Sequence, residues 1–420
     1  MTYAAAHDAA RAGPRIATES LRAMMLWLMA FSGGFVFIEP GPYEVIGFAT
    51  LFFFTVTGLS LRPALAPLIL LLTLLNVGYV LSLFEVASNM RSIIWVAVSV
   101  FLSLTGIFFA AMLGTNTEAR LRWLLRGYIA AAVIVSFLAI GGYFGLFGGL
   151  SGRFVLHSRA TGTFKDPNVF AAFLVLPGLL ILQRMLAGRR SEFLGGGLLL
   201  LILMGGLFLS FSRAAWGQFV FCAIMLMALT FVTSRSDSER VRIIAVAILG
   251  TFLAAASLAV LLSLDQVAAL FQERASLTQG YDTGPTGRFG RYFIAISMTL
   301  DHPFGMGPLQ FLFPEAPHNA YLNAFVTGGW ISGAAYLTLT LVTLVAGLRF
   351  VLVRTPWQPT YLAVYVAFVG VAFESIIIDS DHWRHYFLIV GVLWGLMAVS
   401  RSYQRVPADP TAGGIRLQPA

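Results

Sequence analysis

His318 and Asn319 stand where a long polar segment, 265–317, runs back into an apolar stretch. The segment carries Arg274, Arg288 and Arg291 and ends on the histidine. An imidazole beside several guanidiniums suits one kind of chemistry. The arginines can hold a lipid-linked diphosphate, and the histidine can take a proton from an acceptor hydroxyl.

Two further basic clusters have the same character. Ser151–Asn168 reads SGRFVLHSRATGTFKDPN and offers Arg153, His157, Arg159 and Lys165 among Gly, Ser and Thr. Phe211-Ser212-Arg213 is a tight turn between apolar runs, which fixes an arginine at its tip. In Thr286–Arg291, a helix would place Arg288 and Arg291 on one face, three residues apart. Arginine is always charged and grips phosphate oxygens through a two-point fork. The same arginines could instead bind lipid headgroups or make structural ion pairs. His318 could simply pack at a helix start, with Asn319 as its N-cap.

A rival constellation lies at Ile376–Tyr386, IIIDSDHWRHY. Asp379, Asp381, His382 and His385 resemble a metal cluster, and the histidines at i, i+3 could chelate. The favoured reading has these groups pair with arginines or bind sugar, with no metal. Glu374, a turn deeper, is costly in an apolar span and is expected to line the cavity. The sequence contains no Walker-type phosphate loop, no G-x-S-x-G, no C-x-x-C and no HExxH.

Stepping outward to the elements that carry these groups, hydrophobic residues make up 58% of the chain, charged residues 11%, and mean hydropathy is +0.82. That composition predicts an all-α polytopic membrane protein. About twelve candidate spans follow, near 22–38, 43–61, 65–84, 93–114, 122–146, 168–186, 193–211, 214–233, 242–264, 319–353, 360–378 and 384–400. The stretch 319–353 is too long for one straight crossing, and Gly328, Gly329 and Gly333 are expected to break it. With the N-terminus inside, 18 of the 27 Lys and Arg residues fall on inside segments and 9 outside. The net charge of +8 is therefore a topology signal and implies no nucleic acid. The basic clusters and the Asp379 segment all fall outside. Segments 1–21 and 401–420 are expected on the cytoplasmic side, the second disordered; 22–150 holds the N-terminal helices and 151–400 the catalytic region. The lone Cys222 lies in an apolar run and is expected to pack.

The chain resembles the O-antigen ligase and polymerase superfamily. Arg159-Ala160-Thr161-Gly162-Thr163-Phe164 with Asp166-Pro167-Asn168 is similar to its R-x-x-G-x-F…PN segment, and Phe211-Ser212-Arg213 to its S-R turn. Gly287-Arg288 followed by Pro303-Phe304-Gly305-Met306-Gly307 is similar to its GR…P-x-G-x-G stretch. His318-Asn319-Ala320-Tyr321-Leu322, with Gly328, Gly329 and Gly333, is similar to its HN-x-Y-L…G signature. The resemblance runs from about Arg159 to about Arg349, and Ser332 departs from the residue usual there in ligases.

This resemblance implies an inner-membrane inverting glycosyltransferase with a GT-C-like architecture, its site facing the periplasm, and no cofactor. The donor would be an undecaprenyl-diphosphate-linked glycan. The acceptor would be lipid A-core, a growing glycan or a protein, within a polysaccharide synthase complex or alone. His318, Arg288 and Arg213 are assigned to catalysis, and Arg159, Arg153, Lys165, Arg291, Asn319 and Tyr321 to substrate binding. The alternative from another class is a glycan transporter or flippase. It would need polar groups at mid-membrane, where the spans offer only Asn76 and Gln218.

Overall fold

The computed structural model describes residues 3–38, 40–188, 192–275, 284, 287–313 and 315–405. The described chain is built of helices: α1 (Tyr3–Ser32), α2 (Pro42–Val56), α3 (Ala66–Ser82), α4 (Met90–Met112), α5 (Thr117–Tyr143), α6 (Pro167–Ala187) and α7 (Glu192–Leu209). They continue as α8 (Arg213–Thr233), α9 (Asp237–Leu262), α10 (Asp265–Ala275), α11 (Arg288–Asp301), α12 (Ala320–Leu348), α13 (Gln358–Glu374) and α14 (Arg384–Arg405). One two-residue hairpin, β1 (Val155–Leu156) with β2 (Arg159–Ala160), precedes α6. Among the described residues, eight helical stretches are long and apolar enough to cross a membrane; Pro42–Val56 and Phe193–Leu209 are apolar but shorter. Each expected span falls on a helix, so the chain is an all-α, multi-pass membrane protein.

Three boundaries differ from expectation. The first helix begins at Tyr3 rather than near residue 22. The 1–21 segment is therefore largely helical, because it contains many alanines, the best helix former. The last helix continues to Arg405, so 401–405 are not disordered; residues 406–420 lie outside the described ones. The loop 265–317 contains two helices, α10 and α11, and its stretches 276–283 and 285–286 lie outside the described residues.

The spans differ in depth within the bundle. In α6, 89% of the apolar window is buried by protein, against 11% in α9, so α6 is the central post and α9 lies on the outside of the bundle. Close crossings depend on small residues, which substitute for the hydrophobic drive that lipid removes. At the α3–α12 crossing, a Cβ on Gly78 would stand 2.3 Å from Ser332 Oγ. Ser332 in turn donates to the Leu75 carbonyl at 2.7 Å. At the α4–α14 crossing, a Cβ on Gly391 would meet the Gly106 carbonyl at 2.3 Å. Cys222 is buried and its Sγ lies 3.4 Å from the Val366 carbonyl, where α8 packs on α13.

The expected break in 319–353 occurs at Gly329, whose φ of 67° and ψ of −163° interrupt α12. The freed groups are taken up by the segment after α11. Trp330 N donates to Pro303 O at 2.9 Å, Met306 N to Val326 O at 2.9 Å and Gly307 N to Thr327 O at 3.1 Å. The P-x-G-x-G stretch is thus the strip that satisfies the kink.

One end of the bundle is held by arginines on helix C-termini, where carbonyls lack helical partners and the dipole is negative. Arg22 donates to Thr57 O at 2.6 Å, Arg120 to Met112 O at 2.8 Å, Arg62 to Gly114 O at 2.5 Å and Arg242 to Gly188 O at 2.5 Å. These close α2, α4 and α6. The opposite end holds the His318 segment. Ser88 and Ser158 are exposed at the His318 end, and Thr115 and Ser236 at the other. In a Cys222→Ala background, single cysteines at Ser88 and Ser158 should react with a membrane-impermeant maleimide from one side only. Cysteines at Thr115 and Ser236 should react only from the other; labelling of all four from one side contradicts the arrangement.

Candidate active site

Helix α12 starts at a junction made by three segments. Asn319 is its N-cap, accepting from Leu322 N at 3.0 Å. His318 sits just before it in the left-handed region, φ 56°. The Asp379 carboxylate, between α13 and α14, accepts from both backbone amides of the pair. Asn319 N reaches Oδ1 at 2.9 Å and His318 N reaches Oδ2 at 3.1 Å. Ala320 N donates to Ser375 O at 2.8 Å. Tyr292 of α11 donates through its hydroxyl to His318 O at 3.0 Å and to Ile376 O at 2.7 Å. Tyr321 donates to Ala372 O at 2.7 Å. The backbone around the imidazole is therefore fixed from α11, α12 and the α13–α14 turn.

The imidazole lies between two carboxylates. Nε2 is 3.3 Å from Glu315 Oε2, and Nδ1 is 3.6 Å from Asp379 Oδ2. The second distance is too long for a hydrogen bond but within reach of charge. Arg291 Nη1 holds the same Glu315 Oε2 at 3.1 Å and its guanidinium lies over the Phe313 ring, 4.8 Å from its centroid. As their i, i+3 spacing implies, Arg288 and Arg291 both act on this face. Both depress the His318 pKa, and Arg288 also lowers that of Asp379.

Charges follow from burial and neighbours. Burial is the largest influence on His318 and lowers its pKa below 6.5, with Glu315 pulling the other way. The imidazole is thus largely neutral at pH 7, the state in which it can accept a proton. Glu315 is held below the usual carboxylate range by its bonds to His318 and then Arg291. Asp379 is pushed up to about 7 by burial and then by the nearby Asp381 carboxylate, although the two amides oppose the shift.

The other basic clusters meet each other one element away. Arg159, on β2, donates Nε to Ser210 O at 2.7 Å and Nη2 to Asn168 Oδ1 at 2.8 Å. This joins the R-x-x-G-x-F…PN segment to the Phe211–Arg213 turn. Phe211 has φ 51°, Ser212 is the N-cap position of α8 and Arg213 is its first residue. Helix α8 packs against α13, with Gln218 and Cys222 against Gly370. Arg213 lies five residues outward of Gln218, and Glu374 four residues outward of Gly370. Antiparallel packing therefore brings Arg213 to the end of the bundle that carries Asp379. No described contact links Arg159 or Arg213 directly to His318. Arg153 and Lys165 are exposed.

Within the Asp379–His385 cluster, His382 Nδ1 lies 3.5 Å from Asp381 Oδ2, and the other members meet different partners. Asp381 accepts from Asn323 Nδ2 at 2.9 Å. His382 lies on Trp95 with ring centroids 3.7 Å apart, whereas His385 faces Trp383 at 5.0 Å and Phe173 at 6.0 Å. Among the described residues no three His, Cys, Asp or Glu are grouped as metal ligands. Arg384 pairs with Glu44 at 2.6 Å rather than with an aspartate of its own segment. Asp379, Glu315 and Tyr292 are the neighbours that sequence reasoning missed. Only the D-x-D spelling drew notice to Asp379, and for a different role.

The raised Asp379 pKa has a sign that can be tested. Between about pH 4 and 7 the folded protein keeps a proton the unfolded chain has released, so this group weakens the fold as pH rises through that window. His318, with a lowered pKa, acts oppositely, adding stability as pH climbs toward 6.5. Asp379→Asn removes only the first effect. Its melting temperature in detergent should fall less than that of the wild type from pH 4 to 7. Parallel curves would mean that the carboxyl titrates normally.

Residues 198–337 match the profile of the family described as O-antigen ligase. The match covers about a third of the chain. It includes Arg213, Arg288, Arg291, His318, Asn319 and Tyr321, and stops short of Asp379. No curated protein matches the chain significantly. This segment, which holds the arginine turn, α11 and the His318 junction in order, is what the chain shares with the O-antigen ligase family.

Proposed function

We propose that the protein transfers a glycan from an undecaprenyl-diphosphate carrier to an acceptor hydroxyl, with inversion at the anomeric carbon, on the periplasmic face of the bacterial inner membrane. The observation that carries this reading is one imidazole fixed just before a helix start, sharing the Glu315 carboxylate with Arg291. The acceptor oxygen attacks the anomeric carbon and His318 takes its proton. The bond from that carbon to the diphosphate breaks, and the carrier leaves with both bonding electrons. Arg288 and Arg213 neutralise the departing diphosphate, a role elsewhere filled by divalent metal. Arg159 ties the S-R turn to the preceding loop and, with Arg153, Lys165 and Arg291, extends the basic surface toward the glycan diphosphate. Asn319 and Tyr321 act here by fixing the start of α12.

In this reading about twelve helices cross the membrane in a GT-C-like arrangement, and residues 151–400 form the catalytic region. Ligase and polymerase differ only in the acceptor: lipid A-core or protein for the first, another lipid-linked glycan for the second. Lipid-linked material accumulating in a deletion strain decides between them, full-length chains marking a ligase and single repeats a polymerase.

The test uses that accumulated lipid-linked glycan as donor for purified variants. His318→Ala should slow transfer by about 10²–10⁴-fold with donor binding little changed, the usual loss for a general base. Arg288→Lys should lose most activity while still inserting, since an ammonium cannot make the planar two-point contact. Transfer should also survive EDTA. A His318→Ala protein that transfers at the wild-type rate sinks the mechanism.

A further inference from the structure

Glu315 binds two groups that the proposed reaction needs. One of its oxygens, Oε2, lies 3.1 Å from Arg291 Nη1 and 3.3 Å from His318 Nε2. The partners differ in how they are held. The Arg291 side chain is 19% exposed and lies over Phe313; the His318 side chain is 29% exposed and its backbone is clamped by Asp379 and Tyr292. The Glu315 side chain is 66% exposed, on a loop just before Pro317. Arg291 and His318 are thus built into the wall, and the carboxylate reaches in from outside.

The face it covers already carries positive charge. Arg288 and Arg291 both act on the His318 ring. A carboxylate offers a pair of oxygens and one negative charge, the features through which a phosphate group meets an arginine fork. An exposed ion pair is weakly held. A diphosphate brings more charge and more oxygens to the same donors, so it competes well for Arg291.

We propose that the Glu315 carboxylate holds the place of one phosphate of the lipid-linked donor and is displaced by it. This inference rests on the reading of the site as a diphosphate-dependent glycosyltransferase. Displacement does two things at once. It fills Arg291 with substrate, and it uncovers Nε2, the ring nitrogen facing away from Asp379. Once Glu315 no longer accepts from Nε2, the neutral ring carries its single proton on Nδ1, toward Asp379, and Nε2 is the atom that receives the acceptor proton. The order of events follows: the base is exposed when the donor has bound, and the acceptor hydroxyl meets it afterwards. Glu315 is a positioning residue in this scheme, acting through its hold on Arg291 and His318.

Inorganic pyrophosphate is the probe, titrated calorimetrically into the full-length protein in detergent. Glu315→Gln removes the competing charge and keeps the shape, so it should bind pyrophosphate about tenfold more tightly than the wild type. Glu315→Asp, which keeps the charge, should show little of that gain. Arg291→Gln in the Glu315→Gln background should abolish the gain. His318 should react faster with diethyl pyrocarbonate in Glu315→Gln, read by mass spectrometry. Equal or weaker pyrophosphate affinity in a Glu315→Gln protein of normal melting temperature overturns the proposal. So does a gain that survives loss of Arg291, or an absence of binding in every variant. None of these titrations uses a glycan. Failure of the transfer reaction in the His318 test therefore stands apart from failure here.

Discussion

The arrangement depends on one carboxylate receiving two adjacent backbone amides. Asp379 accepts from His318 N and Asn319 N, and so joins the turn between α13 and α14 to the first residues of α12. An amide at a helix start has no partner within its own helix, and at the edge of a membrane-spanning bundle an unmet donor is costly. The carboxylate meets both donors and also holds the residue between them in a left-handed conformation, φ 56°, which a histidine seldom adopts. The imidazole direction follows from that backbone. Its place between Glu315 and Asp379 follows from a contact sixty residues away along the chain.

How much of this was legible in the sequence depends on the kind of signal. Hydropathy placed a helix under each apolar run because the bilayer demands internal satisfaction of every backbone group. The Asn319 cap was legible because its side chain suits that position, and the break near Gly329 because three small residues cluster there. The arginines drew notice because they fall on the segments that the arginine asymmetry assigns to the outside. The partners were not legible. Glu315 and Asp379 carry no spacing rule that links them to His318, and which amide meets which oxygen is set by the packing of α13 beside α12. The D-x-D triplet shows the same limit. Its two aspartates have different partners, Asp379 the amides before α12 and Asp381 Asn323 within it, and the spelling alone shows neither.

The basic residues divide into two kinds. At the far end, Arg22, Arg62, Arg120 and Arg242 are spent on helix carbonyls and hold the bundle closed. Near His318, Arg291 meets a side chain on an exposed loop, and Arg159 links two loops. The same residue type thus closes helix ends at one face and joins loops at the other.

The Arg384–Glu44 pair reaches across the chain from the first residue of α14 to the first turn of α2, with both side chains nearly buried, at 12% and 13% exposure. Glu44 lies far outside the family-matched segment, and Arg384 three residues beyond Asp381. Separating the two would strand a charge at a cost of about 3–5 kcal/mol. The amino-terminal helices are therefore not an interchangeable membrane anchor. A hybrid that borrows them from a relative must carry a carboxylate at the Glu44 position, or the segment bearing Asp379 loses its footing. The ion pair ties the first helices to the segment that carries Asp379.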